Sequence, residues 1–290
     1  MLDTRVSVKL QRAWFRARQN LRILVLARSR RSIPPPQHDA GVVVSLTSFP
    51  ARIEHAWIAI ETMFRQDQAP DRIVLVLAED QFPSRALPRP IVQQQRRGLE
   101  ILWVPSDSGS FDKLIPTRLA YPGASIVTVD DDMMYAPWTV ARLAAYAREH
   151  PRIVVGHRGW EVARDDHGLV PYVEWARASR GTPARQVFLT GVGGVLYPPD
   201  ALPIDLLADV ALARRLCPLN DDIWFWAVAR AAGVAAHCLG LHSWEPVRRQ
   251  AGTPRLESLN RGAGQFDVQF ARVLEHFGDA AASSPRGEPG

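Results

Sequence analysis

Four apolar, β-branched runs that break off abruptly in polar or acidic residues limit what this chain can fold into: "GVVVSLTSFP" (41–50), "DRIVLVLAED" (71–80), "LEILWVPSD" (99–107) and "GASIVTVDDD" (123–132). A strand that is apolar at successive positions is buried on both faces. Between the first two runs, Ile53, Trp57, Ile60 and Phe64 fall on one helical face. After the fourth, Pro137 stands at a first helical position ahead of the amphipathic "WTVARLAAYAREH". Strands alternating with helices predict an α/β fold with a mainly parallel central sheet flanked by helices.

With 290 residues, 47% of them hydrophobic, the chain can bury one large domain with appendages. Past residue 150 the alternation loosens. "PRIVVGHRGW" reads as a strand, "FLTGVGGVLYPP" as glycine-rich strand and loop, and "DDIWFWAVARAAG" as a helix stopped at Gly233. "VAAHCLGLHSWEP" reads as a last strand and loop. The prolines of "SIPPPQHDA" exclude helix and ladder and mark a linker. The expected division is a basic leader over 1–31, a linker over 32–40, one folded domain over 41–245 and a polar extension over 246–290, disordered at its end.

The net charge of +5 comes from the leader, where nine Lys or Arg lie between Arg5 and Arg31 with no acid among them. The rest of the chain is net negative, which counts against a nucleic-acid-binding body. Val6, Leu10, Trp14, Leu21 and Leu24 to Leu26 recur among the arginines at loosely helical spacing. That pattern suits either a peripheral helix on an anionic membrane surface or a solvated leader. "ILVLA" is too short an apolar core, with no small-residue cleavage site, for a signal peptide. No segment has the roughly 20 apolar residues a membrane span requires. Cys217 and Cys238 have neither disulfide-framework nor metal-ligand spacing and read as reduced thiols of a cytoplasmic protein.

Asp130, Asp131 and Asp132 gather negative charge where the fourth strand ends, and ligands of a parallel sheet bind outside such ends. Continued strand geometry would point Asp130 and Asp132 to one side and Asp131 to the other. Paired carboxylates call for an offsetting cation, and hard oxygen ligands suit Mg²⁺ or Mn²⁺ bridging a diphosphate. A solvated acidic turn is the alternative.

"SIVTVDDDMMYAPWTVARL" resembles the Asp-x-Asp motif and following helix of nucleotide-sugar glycosyltransferases of the GT-A fold, near the family 2-like group. "VVVSLTSFPARI" is similar to the first strand and loop of bacterial members concerned with surface polysaccharide. "LNDDIWFWAVARAAG" resembles the Glu-Asp element before a helix, here Asp-Asp, with Trp224 where a further acid is usual. The resemblance covers roughly 41–245 and implies a single GT-A catalytic domain with a metal-dependent, inverting transfer to a glycan or lipid-linked acceptor.

Carried over residue by residue, it implies metal contacts from Asp130 and Asp132, with Asp130 and Asp131 near the nucleotide. Asp222, next to Asp221, is the candidate general base, or else a plain N-cap. Thr47, Ser48, Arg52, Glu79, Asp80 and Lys113 follow strands or lie where a nucleotide sugar would sit. Gly191, Gly193 and Gly194 either let the backbone approach a sugar or form a bulge. His242 is a third candidate metal ligand or a structural imidazole; Trp224, Trp226 and Trp244 are sugar platforms or core. His157 and His237 receive no role. Metal-dependent nucleotidyl transfer, phosphohydrolysis and nucleic-acid binding through the leader are the competing functions.

Overall fold

The computed structural model describes residues 14, 17–33, 41–166, 168–247 and 264–278. Its centre is a seven-stranded sheet ordered β12-β6-β11-β4-β1-β2-β3. The apolar runs supply β1 (Val42–Thr47), β2 (Arg72–Ala78), β3 (Leu99–Val104) and β4 (Ser125–Thr128), which lie parallel to one another. β11 (Val195–Tyr197) runs antiparallel between β4 and β6 (Val154–Gly156), and β12 (Ala236–Cys238) closes that edge parallel to β6. The sheet is therefore mixed, with one reversed strand where the sequence pattern had loosened.

Both faces of the central strands are buried, which is why their sequences are apolar without alternation. Val44, Leu46, Ile73 and Leu75 face one core, packed by α2 (Ile53–Phe64), α3 (Arg89–Gln95) and α5 (Thr139–Glu149). Val43, Val74 and Val76 face the other, with α4 (Ile115–Ala120), α6 (Ile204–Leu207), α7 (Val210–Leu216) and α8 (Asp221–Ala231). Three short ribbons lie off the sheet: β5 (Met133–Tyr135) with β13 (Trp244–Pro246), β7 (Gly159–Glu161) with β10 (Val187–Leu189), and β8 (Arg164–Asp165) with β9 (Gly168–Leu169).

Both segments expected to flank the domain contribute helices that pack against it. The folded domain does not end at 245: α9 (Gln265–Phe277) buries Phe266, Phe270 and Val273 in the α8 core. The leader contributes α1, helical over 17–27, which packs Leu26 with Ile58, Met134 and Val247. Of the linker, Ile33 is buried and donates its N–H to Arg97, while 34–40 and the tail from 279 lie outside the described residues. Cys217 and Cys238 are buried free thiols. Among the described residues no helix is long and apolar enough to cross a membrane.

Candidate active site

Parallel pairing brings the carboxyl ends of β1, β2 and β4 to one edge of the sheet. Because β11 runs the other way, Val195 at its start lies opposite Thr128 at the end of β4. The glycine turn Gly191–Gly193 before β11 is thereby delivered to the aspartates after β4. The 3-10 turn Gly109–Lys113 after β3 brings in Lys113, and the start of α8 brings in Asp221 and Asp222.

The three aspartates do not alternate as a continued strand would. β4 stops at Thr128 and Asp131 and Asp132 lie in a turn, so the backbone redirects their side chains. Lys113 Nζ lies 2.8 Å from Asp130 Oδ1 and 3.1 Å from Asp221 Oδ2. Arg52 Nη1 lies 2.9 Å from Asp131 Oδ1 and 3.3 Å from Asp132 Oδ2. The buried Asp131 also accepts from Ser48 Oγ at 2.7 Å. Ser48 and Asp131, both expected at the nucleotide, bond to each other and tie the turn to the loop after β1. Burial pushes the Asp131 carboxyl up, against the pull of Arg52 and Ser48.

Asp222 is not the cap of α8. Asn220 caps it, its Oδ1 accepting from Ile223 N at 3.2 Å. Asp222 Oδ1 instead accepts from Gly191 N at 2.9 Å. Burial, and then the neighbouring Asp221, pushes the Asp222 carboxyl up to about 8, with Lys113 opposing and Asp130 adding. Burial alone would lower the Lys113 ammonium, but Asp130, Asp221 and Asp222 outweigh it and hold it well above its ordinary value. Tyr135, which sequence reasoning passed over, accepts from the Asp130 N–H through its buried hydroxyl at 2.8 Å.

The glycines divide by function. A Cβ on Gly191 would come 3.2 Å from Asp222 Oδ1 and 3.3 Å from Lys113 Nζ, so this position faces the charged cluster. Gly193 is bare for packing: a Cβ there would lie 2.8 Å from Arg158 Cβ and 3.2 Å from the Trp244 ring. Gly194 turns the chain into β11 at φ +84°, which favours glycine.

Other candidates are engaged locally. Thr47 Oγ1 donates to Val76 O at 3.0 Å, Glu79 pairs with Arg85, and Asp80 accepts from Asp107 N at 3.2 Å. Trp224 is core, donating to Leu207 O, and Trp226 packs on Phe270. Trp244 stacks on His242 with ring centroids 4.4 Å apart, beside Gly193.

Among the described residues no group of three or more His, Cys, Asp or Glu is placed to hold a metal, so Asp130, Asp132 and His242 do not form a cage. The charge balance still suits a cation. Among the described residues, the carboxyl groups of Asp130, Asp131, Asp132, Asp221 and Asp222 gather about Lys113 and Arg52. A diphosphate would be repelled unless a further cation came with it. Hard cations often take one or two carboxylates and complete their shell with phosphate and water. Asp130 and Asp132 supply oxygens of that kind; a stacked His242 does not belong to the set.

No protein-family model and no curated protein matches the sequence. Several solved structures follow a similar chain path. The S. aureus TarS fragment 1-349 in complex with UDP-GlcNAc is 14% identical with a TM-score of 0.47, covering 75% of this chain and 60% of its own. A mannosyltransferase from Pyrobaculum calidifontis in complex with GDP-Man and Mn²⁺ is 15% identical with a TM-score of 0.45, covering 96% and 86%. A CMP:2-keto-3-deoxy-manno-octonic acid synthetase complexed with CTP is 13% identical with a TM-score of 0.46, covering 79% and 99%. The chain spans 60% of the TarS fragment's length.

Proposed function

We propose that the protein is a GT-A glycosyltransferase that moves a sugar from a nucleotide-sugar donor to a hydroxyl of a glycan or lipid-linked acceptor, with inversion, in surface polysaccharide synthesis at the cytoplasmic face of a membrane. What supports this reading is the position of Asp222: relieved of capping by Asn220, it is held by the Gly191 N–H in a cluster with Lys113 and Asp130 at the carboxyl edge of the sheet.

The donor diphosphate lies over the Asp130–Asp132 turn, with the ribose and base toward the loop of Arg52. Asp222 takes the proton of the acceptor hydroxyl as its oxygen bonds to the anomeric carbon. The bond from that carbon to the diphosphate oxygen breaks, and its electron pair leaves on the nucleotide. Lys113 holds Asp130 and Asp221 in place, so that Asp222 and the turn keep their separation. Mn²⁺ or Mg²⁺, held by Asp130 and Asp132 together with the diphosphate, would supply the charge that offsets the leaving group. Because burial and Asp221 hold its proton up to about 8, Asp222 serves as base only in its ionised form, and turnover should rise as pH rises toward that value.

The test is a thermal-shift screen of the purified protein against nucleoside diphosphates with and without Mn²⁺, followed by turnover of the matching nucleotide sugars. A ligand bound to the folded state raises the melting temperature by mass action. One nucleotide should shift the parent and Asp222→Asn alike, while turnover falls about 10²- to 10⁴-fold in Asp222→Asn. No shift with any nucleotide would sink the reading, and release of pyrophosphate in place of nucleoside diphosphate would replace it with nucleotidyl transfer.

A further inference from the structure

The leader helix α1 is held to the body by one face. Gln19, Arg22, Ile23 and Leu26 point inward: Gln19 Nε2 donates to Pro246 O at 2.7 Å, and Leu26 and Ile23 join the cluster with Ile58 and Met134. Arg22 pairs with Glu245 of β13 at 2.9 Å and donates to Tyr135 O of β5 at 2.9 Å. At 3.6 residues per turn, Leu21, Leu24 and Val25 with Trp14 fall roughly on the opposite side. They are exposed by 64%, 51%, 46% and 65% respectively. Such large apolar side chains grouped on one helix face mark an interaction surface.

Charge selects the occupant. From Thr4 to His38 the sequence has no acid, and Arg18 and Arg28 lie exposed beside the apolar stripe, Arg18 over the Trp14 ring at 5.8 Å. Arg30 and Arg31 extend the basic run, also exposed. A second copy of this face would bring arginine against arginine. A nucleic acid would meet the arginines but give the apolar stripe nothing to bury in. An interface of acyl chains below anionic headgroups satisfies both.

We propose that the outer face of α1, Trp14, Leu21, Leu24 and Val25 flanked by Arg18 and Arg28, docks the protein on an anionic membrane surface. Because α1 is pinned to β5 and β13, which adjoin the aspartate turn, docking also fixes how the candidate site faces the bilayer. A membrane-embedded acceptor then reaches the site without a large excursion of the enzyme; this last consequence rests on the transfer reading above.

Vesicle co-sedimentation of the full chain tests the docking without any turnover, so its failure and that of the transfer reading are told apart. Vesicles of phosphatidylcholine mixed with phosphatidylglycerol should sediment the protein, phosphatidylcholine alone should do so far less, and added salt should release it. Leu21→Glu with Val25→Glu, and separately Arg18→Glu with Arg28→Glu, should each lower partitioning at least about tenfold with the melting temperature unchanged, since all four side chains are exposed. Equal binding to both vesicle types, no binding, or full binding by the variants would overturn the proposal. So would a dimer by light scattering that the same substitutions dissolve, which would assign the face to a second copy.

Discussion

Asn220 and Asp222 stand two residues apart at the start of one helix, and the hydrogen bonds separate what they do. Losing a cap of Asn220's kind costs about 1 kcal/mol. Asn220→Ala should lower stability by that amount in urea unfolding while donor binding persists. Asp222→Asn keeps an oxygen for the Gly191 N–H and removes a buried charge. The folded Asp222 carboxyl holds its proton up to about 8, far above an unfolded aspartate. Its contribution to stability is therefore full below the unfolded value and is lost as pH rises through 8, where ionisation becomes a burden. Asp222→Asn should gain on the parent between pH 6 and pH 9; a constant difference across that range would contradict the buried, raised carboxyl. The acids of α8 were legible from the sequence, but the cap was sought at Asp222 and not at Asn220. What the spacing could not decide was which residue caps, because that depends on the Gly191 turn arriving from a distant part of the chain.

The same limit applies to whole elements. Strand alternation told correctly that the Asp130–Asp132 run follows a buried strand, but β4 ends two residues before Asp130 and the turn shares its charges between Lys113 and Arg52. Arg52 immediately precedes α2, so its bonds to Asp131 and Asp132 tie that helix to the turn. Removing it would leave Asp131 buried and short of its cation, and Arg52→Ala should destabilise by about 3 kcal/mol or more, read as a lowered urea midpoint. β6 and α5 are joined by a different device. Buried His157, just after β6, has Nε2 3.0 Å from Thr139 O at the start of α5. Burial lowers its imidazole to about 4. With a folded value below the unfolded one, the neutral ring's contribution is present above about 6.5 and lost as pH falls toward 4. Between pH 7 and pH 5 this loss should amount to about 2 kcal/mol. His157→Phe should flatten that part of the stability profile; an unchanged fall would place the titration elsewhere.

At the scale of the molecule, the central strands were legible because burial on both faces leaves a continuous apolar run. The closing helix was not, because the polar stretch after Pro246 separates α9 from everything it packs on. Within Gln265–Phe277 the apolar residues Phe266, Phe270, Val273 and Phe277 do recur at helical spacing. Phe270 sits among Trp175, Phe188 and Trp226, contributed by segments far apart in the chain, at ring-centroid distances of 5.1, 5.7 and 4.6 Å. Trp226 lies on α8, the helix whose first turn holds Asp222, so α9 braces the candidate base from behind. Truncating a buried phenylalanine costs about 3–5 kcal/mol. Phe270→Ala should therefore lower the urea midpoint strongly. Ligand binding separates bracing from mere stability: on the proposed transfer reading, at a temperature where the variant is folded, nucleotide affinity should hold while turnover, which that reading assigns to Asp222, falls. Equal loss of both would mean that α9 supports the sheet edge as a whole and gives α8 no special alignment.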